Sequence, residues 1–136
     1  MSVFVDTSAF MALLDRTEPE HGSILRAWER GNEDAEGFFT TNYVALESIA
    51  VAQRRWGMAA VRALIDEFLP LVAIVWTTSD DHDAGVDTLL AADRRRLSLV
   101  DCVSFVVMRR LAVRLYLAID PHFAEQGFES YAAALG

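Results

Sequence analysis

The chain has 136 residues, 53% hydrophobic and 24% charged, enough apolar material for one ordinary core and too much for intrinsic disorder. Cys102 is the only cysteine, which excludes an internal disulfide and a multi-cysteine zinc site. Twenty acids against twelve bases leave a net charge of −8, an argument against generic nucleic-acid binding, and the complete absence of lysine excludes P-loop nucleotidases, Schiff-base enzymes and receiver domains.

Val3-Phe4-Val5 reads as a short strand ended by Asp6-Thr7-Ser8, with a helix over 9–14. Residues 20–31 form a second helix, with Ile24, Leu25 and Trp28 on one face and Gly31 as its stop. A strand over 37–40 leads to Asn42, which caps a long helix reaching about Trp56; Gly57 separates it from a helix over 58–68. Residues 71–76 are all apolar and rich in β-branched side chains, which predicts a strand covered on both faces. Ser79 or Asp80 opens a helix to about Ala92, and Ser98 opens another over 99–112. A strand over 115–119, a helical turn over 121–125 and an edge strand over 128–131 complete the chain.

Strands alternating with helices imply right-handed crossovers and one α/β domain over 1–136, a mainly parallel sheet of about five strands in a three-layer α/β/α stack. The run at 71–76 is far short of the roughly 20 residues that span a bilayer. Asp6 interrupts the first apolar run and no basic residue precedes it, so a signal peptide is not expected. The expected setting is the cytoplasm, away from membranes.

In such a fold ligands gather beyond the carboxyl ends of the strands. Asp6 follows the first strand and Asp120 follows the strand over 115–119, so two carboxylates reach one edge of the sheet. Each has a local alternative. Asp6 ahead of Thr7 and Ser8 suits an Asx turn or a cap, and Asp120 before Pro121 suits an N-cap. Ser98 through Asp101 resembles a capping box with Asp in place of Glu. Glu47 differs, because its helical neighbours Tyr43, Ala50 and Val51 put it on an inward face with no arginine within four residues. A buried, unpaired carboxylate is costly, and a metal ion is the economical partner.

Four acids suit a hard divalent cation, Mg²⁺ or Mn²⁺. His21, His82 and His122 show no helical ligand spacing and read as surface or supporting residues, and Cys102 as core. Asp80, Asp81, Asp83 and Asp87 read as a solvated helix start. Arg94, Arg95 and Arg96, between two helices, are the best candidates for contact with phosphate; Arg54/Arg55 and Arg109/Arg110 also suit helix C-termini.

Four segments in order carry a family resemblance: Val3-Phe4-Val5-Asp6-Thr7-Ser8-Ala9-Phe10, Thr41-Asn42-Tyr43-Val44-Ala45-Leu46-Glu47, Leu97-Ser98-Leu99-Val100-Asp101-Cys102-Val103-Ser104-Phe105 and Ala118-Ile119-Asp120-Pro121-His122-Phe123. Together they resemble the motifs of PIN-domain proteins, and among these the VapC-type toxins of bacterial toxin–antitoxin pairs. The resemblance implies a Mg²⁺- or Mn²⁺-dependent endoribonuclease with Asp6, Glu47, Asp101 and Asp120 as its catalytic and metal-binding acids. It implies that Ser8 supports the first carboxylate or the metal's water, and that Asn42 stands near the site, with helix capping as an equal alternative. Ala118 departs from the pattern, where many relatives have a hydroxyl two positions before the fourth acid. The resemblance further implies an RNA substrate such as tRNA or rRNA, a homodimer, and a VapB-type antitoxin seated near Phe10, Leu13, Leu14, Ile24, Leu25 and Trp28 as a helix in a groove. A phosphohydrolase acting on a small phosphate ester and a non-catalytic binding module are the two alternatives from other classes.

Overall fold

The computed structural model describes residues 2–34 and 37–135. Strands β1 (Ser2–Val5), β2 (Gly37–Thr41), β3 (Ala73–Val75), β4 (Leu115–Leu117) and β5 (Glu129–Ser130) form one sheet in the order β3-β2-β1-β4-β5. Every pairing is parallel, with Val3 opposite Phe38 on one side and Leu115 on the other. Parallel neighbours need crossovers, and the helices α1 (Thr7–Leu14), α2 (His21–Glu33), α3 (Asn42–Trp56), α4 (Met58–Ala63), α5 (Ser79–Ala92), α6 (Leu99–Arg110), α7 (His122–Glu125) and α8 (Tyr131–Leu135) supply them. The expected α/β/α architecture is what the chain adopts. β1 is central, and the order reverses between β1 and β4, which makes the carboxyl edge of that pair the switch point.

The strands are short and apolar, and their alternation feeds two aromatic clusters. Phe4 meets Phe39 edge-on at 5.5 Å and Phe123 at 5.8 Å, while Phe105 meets Phe123 at 5.1 Å. Phe38 instead stacks on Trp28 at 5.0 Å, and Trp28 also contacts Phe10 and Phe68. Phe10, Leu13, Ile24 and Trp28 are all buried. These four are core, whereas Leu14 and Leu25, the other two members of the anticipated partner groove, are half-buried and pack against that core. Cys102 is buried as expected.

Three local readings are corrected. The helix over 58–68 divides: α4 ends at Ala63, a wide π turn covers Leu64–Phe68, and a 3-10 turn over Leu69–Leu71 carries Pro70. Proline has no amide hydrogen and cannot extend the ladder. The strand after it is consequently only Ala73–Val75, and it lies at the sheet edge with a single neighbour. Leu71 and Trp76 are exposed, Trp76 by 73%, so this stretch is not covered on both faces. Thr41, not Asn42, caps α3, accepting the Val44 N–H at 3.2 Å. Asn42 Oδ1 accepts the Thr77 N–H at 2.8 Å and fastens the end of β3 to the start of α3.

α5 and α6 approach closely because Gly85 has no side chain. A Cβ there would lie 2.4 Å from Val103 Cγ2 and 3.3 Å from its Cα and N. Overpacking of this kind costs about 1–3 kcal/mol, against about 1 kcal/mol of helix propensity in alanine's favour. Gly85→Ala is therefore expected to lower the urea midpoint, by the equivalent of up to about 2 kcal/mol. Among the described residues no helix is long and apolar enough to cross a membrane.

Candidate active site

Asp6 stands at the carboxyl end of β1, where its own N–H donates to Leu117 O at 3.0 Å. Its side chain caps α1: Oδ2 accepts the Ser8 N–H at 3.1 Å and the Ser8 hydroxyl at 2.8 Å. The Ser8 oxygen in turn accepts the Ile119 N–H at 3.0 Å. Ser8 thus straps the end of β1 to the exit of β4 and fixes the carboxylate between them. Asp6 is 3% exposed. Burial pushes its pKa up to about 7, and the charges of Asp101 and Asp120 add to the rise against the two Ser8 hydrogen bonds.

Asp101 arrives from a different direction, at the third position of α6. The expected capping box forms in full, with Ser98 N–H donating to Asp101 Oδ2 and Asp101 N–H donating to the Ser98 hydroxyl, both at 3.1 Å. The same Oδ2 lies 3.7 Å from His122 Nδ1. Capping and site placement coexist here, because a carboxylate has two oxygens and the cap occupies one. Burial raises the Asp101 pKa, and the neighbouring Asp120 charge raises it further.

Asp120 follows β4 by three residues, and its Oδ1 accepts the His122 N–H at 2.7 Å in an Asx turn. That turn folds the histidine back, so His122 Nδ1 sits 2.8 Å from Asp120 Oδ1. The approach is not aligned as a hydrogen bond, and Nδ1 is buried without a hydrogen-bond partner. Ligand atoms of Asp101, Asp120 and His122 all lie within 4.8 Å of one another. His122 was expected to be a surface or supporting residue and is instead the third member of this group. The Asp-Pro-His spacing was the available signal, since an Asx turn carries residue i+2 back onto the carboxylate.

The other candidates fall elsewhere. Glu47 is half-buried rather than buried, lies outside the tight group, and has no hydrogen bond or ion pair among the described residues. The burial argument for it is weaker than the helical pattern implied, although α3 packs on both α1 and α6. The one hydrogen bond of the Asn42 side chain goes to Thr77 and not to an acid. Arg94 is paired with Glu125 at 2.9 Å, whereas Arg95 and Arg96 are exposed. Asp81 is not a solvated helix residue: it is 3% exposed and takes two 2.9 Å hydrogen bonds from Arg110. Arg110 is thereby committed to the α5–α6 contact. His82 bonds Tyr43, and His21 Nδ1 meets Ala12 O at 2.6 Å.

Asp101, Asp120 and His122 converge at the switch point with Asp6 near enough to feel both carboxylates, and among the described residues no arginine is bonded to any of the four. Asp6, Asp101 and Asp120 each commit one oxygen to a local amide, and the other accepts no hydrogen bond among the described residues. Buried like charges held this close repel unless protonated or joined by a cation. Carboxylate oxygens with one available imidazole nitrogen are the donor set of a hard or borderline divalent ion. The orphaned Nδ1 and the raised carboxyl pKa values both fit such an ion.

A family profile for the PIN domain matches residues 3–129. The 23S rRNA-specific endonuclease VapC20 of Mycobacterium tuberculosis is 32% identical over 127 residues, covering 93% of this chain and 95% of that protein, in strain CDC 1551 and equally in H37Rv. The crystal structure of VapC20, described as a sarcin-ricin loop cleaving toxin, superposes with a TM-score of 0.81 at 30% identity. The match covers 93% of this chain and 96% of that one.

Proposed function

The chain belongs to the PIN-domain family, among the VapC-type endoribonucleases, and from that premise we propose that it hydrolyses ribosomal RNA with a Mg²⁺ or Mn²⁺ ion. The observation that carries this reading is the convergence of Asp101, Asp120 and His122 within 4.8 Å beside the buried Asp6. Asp101 and Asp120 would hold the ion, Asp6 would add negative charge beside them, and Glu47 would offer an unpaired carboxylate from α3. When bound, a divalent ion lowers the pKa of an attacking water and offsets charge on the phosphoryl oxygens.

The remaining chemistry belongs to the chain. The Ser98 amide stops the Asp101 carboxylate from rotating, and Ser8 does the same for Asp6, so little reorganisation is left for the reaction. His122 Nδ1 has no hydrogen bond to break, which leaves it available to ligate or to exchange a proton at the face of Asp120. No side-chain nucleophile is needed. A VapB-type antitoxin that sends a basic side chain to these carboxylates would silence the site, and two chains per particle is the proposed assembly.

Incubation of the purified protein with 23S rRNA, tRNA and total RNA, with Mn²⁺ or with EDTA, tests the reading when the new 5′ ends are mapped. The expected result is metal-dependent cleavage at a discrete rRNA position, leaving a 5′-phosphate. Cleavage that persists unchanged in EDTA, or confinement of cleavage to tRNA, overturns the metal or the substrate assignment respectively.

A further inference from the structure

RNA must bind a protein with a net charge of −8, so the position of the uncommitted arginines decides where its backbone can lie. Many of the twelve are already engaged: Arg30 with Asp34, Arg94 with Glu125, Arg109 with Gln126, Arg110 with Asp81 and Arg114 with Glu129. Beside the acidic group lies a cleft of about 550 Å³, bounded on one side by Asp120 and His122 and reached by two guanidinium groups, Arg55 and Arg96. Neither has an ion pair or a hydrogen bond among the described residues.

Both are held in place without being neutralised. Arg55 belongs to the last turn of α3 and lies over the Trp56 ring at 4.5 Å, and the helix is stopped by Gly57 at φ 86°. A stacked guanidinium keeps its edge donors free for phosphate. Arg96 sits between a turn closed by Leu97 N–H to Arg94 O at 3.1 Å and the buried side chain of Leu97. Its backbone is thus anchored immediately before the Ser98 cap of α6, the helix that carries Asp101. Asp15 and Glu18, on the same cleft, are acids that repel phosphate, and Arg55 is close enough to Asp15 to help lower that carboxyl's pKa, after the larger effect of the Thr17 hydrogen bonds.

We infer that Arg55 and Arg96 bind backbone phosphates of the RNA outside the acidic cluster and so position the scissile phosphodiester at Asp101, Asp120 and His122. This inference rests on the nuclease reading above. It divides the arginine run at 94–96: Arg96 faces the cleft, and Arg94 is tied to Glu125. It also gives Arg55 a role in substrate binding beyond its favourable place at a helix C-terminus. These are positioning residues, since each meets phosphates other than the one that reacts.

The test compares Arg55→Gln, Arg96→Gln and the double variant with Arg62→Gln, an exposed arginine of α4 away from the cleft. All three arginines are exposed, so folding is not at stake; each single variant removes one charge and the double variant two. For cleavage of a single-stranded RNA containing the mapped site, KM is expected to rise about tenfold per cleft arginine with kcat unchanged. The slope of log affinity against log salt should fall by about 0.7 per cleft arginine, measured with the acids mutated so that RNA stays intact. Because any lost charge weakens RNA attraction somewhat, the cleft variants must exceed Arg62→Gln. Equal effects in all four variants overturn the inference, as does a fall in kcat with KM unchanged. Absence of cleavage by the wild-type protein overturns the nuclease reading and the inference with it.

Discussion

Asp101→Asn is expected to reduce RNA cleavage about a thousandfold while leaving the metal-free protein at least as stable as the wild type. Loss of a group that stabilises charge in the reaction typically costs two to three orders of magnitude. The substitution keeps an oxygen able to accept the Ser98 N–H, so the capping box that starts α6 survives. It removes a negative charge whose pKa is raised by burial and by Asp120, so metal-free stability has nothing to lose electrostatically. Ser98→Ala provides the converse. It deletes the hydroxyl that accepts the Asp101 N–H and should cost about 1 kcal/mol of stability with only a modest loss of turnover. Single-turnover cleavage together with thermal denaturation separates the two variants. If both lose stability alike and neither loses activity, Asp101 is only a cap.

The second large effect concerns acidity. The Asp6 carboxyl titrates near 3.8 in an unfolded chain and at about 7 in the fold, chiefly because it is buried. Between those values the folded protein holds a proton that the unfolded chain has released. Stability of the metal-free protein therefore falls as pH rises through this window, by about 1.4 kcal/mol per unit, and levels off above about pH 7. The total from this group is on the order of 4 kcal/mol, and Asp101 acts in the same direction. Asp81 and Asp15 have lowered pKa values. Their contribution is lost only at more acidic pH, below the ordinary carboxylate range, and does not mask the effect. A divalent cation reverses the trend because it favours the ionised form. Melting temperatures in EDTA should thus fall from pH 5 to pH 8, Mn²⁺ should restore most of the loss at pH 8, and Asp6→Asn should flatten the EDTA profile. A metal-free melting temperature that climbs over the same range would refute the account.

What sequence could and could not reveal follows from how local each determinant is. β1, β2 and β4 were legible because short apolar runs end in a polar residue, and parallel order followed from the helices between them. Asp6, Asp101 and Asp120 were legible because each sits at an element boundary. The edge strand was misjudged for a physical reason. An all-apolar run looks the same whether one or two faces are covered, and the Pro70 turn takes its first residues. Thr41 and Asn42 can both cap a helix, and the choice was made by Thr77, a residue 35 positions away that claims the Asn42 oxygen. Asp81 has its partner 29 positions away in Arg110, so a helix start rich in acid appeared solvated when one member was not. His122 was local and readable through its Asx turn, but a search for paired histidines passes over it. The placement of Glu47 depends on the packing of α3 against two other helices, which helical periodicity describes only in outline.

The Ser8 hydroxyl receives the Ile119 N–H across 111 positions of chain, and the residues it joins carry the first and last acids of the cluster. Chains are made from the N-terminus onward, so a partly translated polypeptide possesses Asp6 long before it possesses anything to set against it. The central strand remains without its β4 neighbour until Leu115–Leu117 has emerged. The acidic cluster therefore cannot assemble during synthesis until the segment that carries Asp120 has emerged and paired through Ile119 with Ser8.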